Sequence, residues 1–127
     1  MVRSDDERAL HATRSALATL LREIGALDSE VFAAEIVIGE LLTNTYRYSL
    51  GEVRISLDLD SNNASLRVCD RGTGPRLPAT LPDEQAESGR GLYIVQSLAE
   101  TLATTQHDGW TEIRADLRVH RSARKNA

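Results

Sequence analysis

Between Glu52 and Asp70 the sequence alternates between apolar and polar residues. In "EVRISLDL" the residues Val53, Ile55, Leu57 and Leu59 fall on one side, and after the turn "DSNN" the residues Ala64, Leu66 and Val68 repeat the pattern. Period two over two successive runs calls for a sheet with one apolar face, and a one-residue slip would turn every apolar side chain to solvent. Whatever this chain folds into therefore has to cover one side of a sheet. The material for that cover lies on either side. After Asp5 and Asp6, residues Leu10, Thr13, Leu17, Leu20, Leu21 and Ile24 recur at helical spacing until Gly25. A second helix starts at Asp28 or Ser29, carries Val31, Ala34, Ile38, Leu41 and Leu42 inward, and ends near Ser49 to Gly51. Beyond a long loop from Pro75 to Ser88, "GRGLYIVQSLAETLA" places Leu92, Val95, Leu98 and Leu102 on a third helix. A short strand near Ala103 to Gln106, the turn "HDGW" and the alternating "TEIRADLRV" complete the chain. The order helix, helix, strand, strand, helix, strand, strand predicts an α+β two-layer sandwich. Its sheet is mixed but mainly antiparallel, with the helices on one face.

At 127 residues the chain is long enough for one proper core and too short for two, so residues 1–127 are read as a single domain. An apolar content of 41% and a charged content of 27% exclude a disordered chain. The net charge of -4 leaves no nucleic-acid footprint, although the tail "HRSARKNA", residues 120–127, is locally basic and reads as a solvated, frayed end. One cysteine, Cys69, excludes an internal disulfide and a cysteine-based zinc cage. No apolar run reaches membrane-spanning length and "MVRSDDERAL" lacks a signal peptide's apolar core, which places the chain in the cytoplasm and away from membranes.

Three local oddities remain. On the second helix Glu40 and Asn44 are one turn apart on one face, with Ile36 and Val37 preceding the carboxylate. Taken alone, that is a helix-edge glutamate with its tip in water. In "VCDRGTGP" an apolar strand ends in Asp70, which shares the parity of Ala64, Leu66 and Val68 and so aims at the buried side. Gly72 and Gly74 follow it, more glycine than a hairpin needs. In "SGRGLYIV", Gly89 and Gly91 open a helix whose first-turn amides make a ready anion site. Neither glycine pair fits a P-loop or a Rossmann turn.

Taken together, Glu40-x-x-x-Asn44, Asp70-x-Gly72-x-Gly74 and Gly89-x-Gly91-Leu92 resemble the three ATP-binding boxes of the GHKL superfamily, over roughly Arg14 to Leu117. The two leading helices and the compact lid are most similar to the anti-sigma factor serine kinases. The resemblance implies the Bergerat ATP-binding fold and the cofactors ATP and Mg²⁺. It implies that Asp70 accepts a hydrogen bond from the adenine amino group and that Gly72 and Gly74 let the chain pass close to the base. Asn44 would coordinate the Mg²⁺, Glu40 would be the general base, and the amides around Gly89, Arg90, Gly91 and Leu92 would hold the phosphates. Thr111 matches a threonine that in relatives hydrogen-bonds near the adenine and its aspartate.

The residue types suit that chemistry independently. Phosphoryl transfer needs a cation on the phosphate oxygens, donors for developing charge and an oriented nucleophile. An asparagine oxygen is a hard ligand suited to Mg²⁺, and a glutamate one turn away reaches a nucleophile from the same face. Arg90 adds a positive charge that serves either a γ-phosphate contact or a surface salt bridge.

Two classes of function follow from the resemblance. One is a serine protein kinase that sequesters a sigma factor and phosphorylates an anti-sigma factor antagonist. The other is a catalytically weak module in which nucleotide binding orders the lid and shapes a protein-binding surface. Glu40 favours the first, since a pure binder needs no base. A histidine-kinase catalytic domain fits less well, because no helix pair with a phosphoacceptor histidine precedes the fold. The resemblance also allows a homodimer. Thr45, Tyr46 and Tyr48 depart from the residues anti-sigma kinases often carry at these positions, while His11, His107 and His120 are isolated. Cys69 reads as packing, and Trp110 either anchors a partner or covers the end of the sheet.

Overall fold

The computed structural model describes residues 2–3, 7–48, 52–71 and 90–121. The chain runs β1 (Val2–Arg3), α1 (Glu7–Glu23), α2 (Asp28–Tyr48), β2 (Glu52–Asp60), β3 (Asn63–Asp70), α3 (Arg90–Leu98), β4 (Thr101–His107) and β5 (Trp110–Arg118). The sheet order is β1-β2-β3-β5-β4, and each of these neighbouring pairs is antiparallel. The α+β architecture read from the sequence is the one observed, with α2 lying over the central strands β3 and β5 between α1 and α3.

Local chemistry sets the element ends. Gly25 adopts φ 101°, and the bonds Ala26 N–H to Leu21 O and Gly25 N–H to Arg22 O close α1 with the paired reverse bonds of a glycine-terminated helix. Glu30 Oε1 accepts the Leu27 N–H at 2.8 Å, which satisfies a free donor at the start of α2. Asp108 and Gly109 both take positive φ between the paired residues His107 and Trp110, giving the primed turn that matches strand twist.

The alternation places Val53 of β2, Ala64, Leu66 and Val68 of β3, and Ile113, Ala115 and Leu117 of β5 against the helices, all buried. Opposite them sit Leu17, Ala18 and Leu21 of α1, Val31, Ala34, Val37, Ile38, Leu41 and Leu42 of α2, and Val95 of α3. Full burial of each larger side chain contributes about 1.5–3 kcal/mol.

The structure corrects the expected helix faces and ends. Leu20 is 39% exposed and Ala18 takes the inward place, so the apolar stripe of α1 is narrower than its leucines suggest. The third helix stops at Leu98, itself 40% exposed, and Leu102 belongs to β4. The chain turns there because Glu100 N–H bonds Asp116 O at 2.8 Å and Thr101 Oγ1 donates to the Asp116 carboxylate. No glycine or proline marks this turn. The two-residue β1, which pairs Val2 with Val53, is too short to leave a period.

Candidate functional site

The buried polar residues among those described are two, Asp70 and Thr111, 6% and 2% exposed. They face one another across the β3–β5 ladder as its last registered pair. Asp70 ends β3 in the parity of Ala64, Leu66 and Val68, so the alternation that builds the core also carries a carboxylate to the inner face. Thr111 holds the matching place on β5, and its hydroxyl accepts a hydrogen bond from Gln106 Nε2 at 3.5 Å. Burying a carboxylate is costly unless the site uses it or satisfies it. The pair supplies a hydrogen-bonding patch within an otherwise apolar layer.

The second half of the site is built by α2 and α3. Gly91 is the second residue of α3, and a Cβ built on it would lie 2.8 Å from Glu40 Cδ and closer still to Oε2. The absence of a side chain at 91 is what lets the carboxylate rest against the first turn of α3. That helix has no acidic residue of its own in its first turn. The first turn of a helix carries unpaired amides and the positive end of its dipole, which favour negative charge nearby. Asn44 lies one turn further along α2 and, like Glu40 and Leu92, is half-buried. Arg90 is the first residue of α3.

The structure thus brings Glu40 to Gly91 and Asp70 to Thr111, with α2 touching both β3 and β5. Gly72, Gly74 and Gly89 lie outside the described residues, as do the loop Pro75 to Ser88 and residues 122–127. Among the described residues no three His, Cys, Asp or Glu side chains gather into a metal cage. The amide oxygen of the half-buried Asn44 is the kind of hard donor that suits a cation holding few protein groups.

One residue at the site went unremarked in the sequence. Arg14 of α1 lies across α2, with Nη1 at 3.5 Å and Cδ at 3.7 Å from a Cβ built on Gly39, next to Glu40. Arg14 lies one turn before Leu17 and Ala18 on α1 but is exposed, so its spacing alone reads as an ordinary solvated arginine and only the packing of α1 on α2 reveals the contact.

Nothing among the described residues marks a membrane span, since no helix there is long and apolar enough to cross. Of the outlying residues, Cys69 is half-buried opposite Arg54 and Glu112, and burial pushes its thiol up, helped by the Glu112 carboxylate. His120 donates its backbone N–H to Glu30 Oε1 at 2.8 Å and places Nδ1 2.7 Å from Oε2, tying the end of the sheet to the start of α2. The basic stretch from 120 is thus anchored at its first residue.

Comparison with known proteins agrees with this geometry. The family model of the histidine kinase-like ATPase domain matches residues 3–117. The serine-protein kinase RsbW of Bacillus subtilis is 25% identical over 114 residues, covering 77% of this chain and 71% of that protein. The fold is shared with the mycobacterial sensor histidine kinase MprB, at TM-score 0.53 and 18% identity over 72% of this chain and 74% of that one. It is shared too with the histidine kinase domain of the Erythrobacter litoralis EL346 blue-light activated kinase, at TM-score 0.54 and 19% identity over 94% of this chain and 65% of that one. The Acinetobacter baumannii histidine kinase AdeS aligns at TM-score 0.51 and 24% identity over 69% of this chain, which spans 46% of the AdeS chain. With a family model matched over most of its length, the boxes in order and the sheet and helices in place, the chain belongs to the histidine kinase-like ATPase domain family.

Proposed function

We propose that this chain is an ATP-binding regulator that acts as a serine protein kinase on a protein partner. In this reading the partner set is a sigma factor, which the chain sequesters, and an anti-sigma factor antagonist, which it phosphorylates. The family match supports ATP binding, and the similarity to a serine-protein kinase supports the kinase branch.

The residues divide the work. Asp70 accepts the adenine amino group on the inner face, with Thr111 beside it as a second polar contact. Asn44 holds Mg²⁺, and the first-turn amides at Arg90, Gly91 and Leu92, with Gly89 before them, receive the phosphates. Gly72 and Gly74 let the chain pass close to the base. When bound, Mg²⁺ neutralises charge on the phosphate oxygens. Glu40 takes the proton from the attacking serine hydroxyl, from a position fixed against the start of the phosphate-binding helix.

The observation that carries the kinase reading is the contact between Glu40 and Gly91. It sets a carboxylate at the helix terminus where the transferred phosphoryl group would lie, which a module that only binds nucleotide does not require. The test is to incubate the protein with radiolabelled ATP and the small antagonist proteins of its own organism. Label on a partner serine, lost in Glu40→Ala, supports the kinase. Partner capture that depends on ATP but never transfers label would replace it with the nucleotide-gated binding module.

A further inference from the structure

The alternation that turns Asp70 and Thr111 inward turns their chain neighbours outward. On the outer face of the sheet the Arg71 guanidinium lies over the Trp110 ring, 4.5 Å from its centroid. A second guanidinium, that of Arg54, lies 4.1 Å from the same centroid. Arg54 belongs to β2 and is registered opposite Cys69, so its side chain reaches across β3 to a ring carried by β5. Both arginines are exposed and the tryptophan is half-buried. One ring therefore ties together three strands at the row beside the Asp70 and Thr111 pair.

The Asp70 and Thr111 row is the last registered one of the β3–β5 ladder among the described residues. Asp70 is the last residue of β3, and Arg71, which follows it, is a bend. Terminal rungs of a ladder open more readily than central ones. A binding group that has to be kept within about 0.5 Å of its working position is poorly served by a fraying rung unless neighbours lock it.

We propose that Arg54, Trp110 and Arg71 form a positioning clamp on the outer face that fixes Asp70 and Thr111 for the nucleotide base on the inner face. The proposal rests on the reading of Asp70 as the adenine acceptor. The three residues touch no nucleotide themselves. They act by stacking, so the delocalised, planar guanidinium matters at 71 beyond its charge, and lysine would only partly replace it.

The test combines ATP titration by calorimetry with acrylamide quenching of Trp110, the one tryptophan in the chain. Arg71→Ala is expected to weaken ATP binding roughly three- to tenfold, with Arg71→Lys intermediate and Arg54→Ala similar to Arg71→Ala. Trp110→Phe, which keeps a ring for the guanidiniums, is expected to bind nearly as the wild type does. Quenching is expected to rise in both alanine variants, while the unliganded melting temperature stays near that of the wild type. Wild-type affinity in Arg71→Ala and Arg54→Ala overturns the clamp. So does a loss of affinity that lysine restores fully, because charge alone would then suffice. If Asp70→Asn binds ATP as well as the wild type does, or the wild type binds none, the adenine reading fails and the clamp falls with it. Asp70-dependent binding that ignores Arg71 removes the clamp alone.

Discussion

Glu40 and Gly91 share a space that no side chain at position 91 could enter without displacing the carboxylate. The two residues lie 51 positions apart and join α2 to the first turn of α3. The carboxylate is the far end of a flexible side chain, so an intruding methyl group moves Glu40 more readily than it breaks the fold.

Gly91→Ala is accordingly expected to change stability by less than about 1 kcal/mol, since alanine's better helix propensity offsets part of the crowding. Phosphoryl transfer is expected to fall at least tenfold. Denaturant unfolding and label transfer measured side by side check this. In the Glu40→Ala background the added methyl should make no further difference to transfer, because the group it displaces is already gone.

Thr111→Val keeps the shape of the side chain and removes its hydroxyl, along with the acceptor for Gln106. One hydrogen bond lost from a buried site is worth about 0.5–1.5 kcal/mol. Because the same hydroxyl is the proposed second polar contact beside the adenine, losing it is also expected to lower ATP affinity roughly two- to tenfold, as read by calorimetry.

Acid sensitivity follows from two carboxylates. Burial pushes the Glu30 carboxyl up, but bonds from the His120 backbone and ring, the Leu27 N–H and the His120 charge outweigh it and hold it below its ordinary 4.5. Burial likewise raises Asp116, while the hydroxyls of Ser65 and Thr101, with Arg114 and Arg67 nearby, bring it below 3.8. A carboxylate with a depressed folded value stabilises fully above its unfolded value and loses that contribution as pH falls through the folded one. Glu30→Ala should thus cost about 1 kcal/mol at neutral pH, through the lost helix-start bond and the lost tie to His120. The gap from wild type should close only below about pH 4.5, as followed by urea unfolding at stepped pH.

Asn44→Ala is expected to leave some ATP binding and remove its dependence on Mg²⁺. Titrations with and without the metal check this, and a dependence that survives the substitution would put the metal on other groups.

Much of this layout was legible because period two is rigid. Once Val53, Leu66 and Val68 are set inward, Asp70 has no choice of side, and its burial follows from the parity of β3. The helices of the cover were legible from their spacing, though Leu20 and Ala18 exchange roles because helix packing selects a stripe and not every leucine near it. What escaped the sequence depends on pairs formed at long range. The end of α3 is set by Asp116, on a strand not yet reached by the chain. Arg54 meets Trp110 only after β3 has been laid between β2 and β5, and Arg14 meets Gly39 only when α1 and α2 pack.

The measurement that bears most directly on this account is isothermal titration of wild type and Asp70→Asn with ATP, with and without Mg²⁺. Saturable, Mg²⁺-sensitive binding by the wild type, lost or strongly weakened in Asp70→Asn, is the expected result, since an amide no longer presents two acceptors to the adenine amino group. Equal affinities in the two proteins would contradict the assignment of Asp70 to the base and with it the proposed nucleotide site.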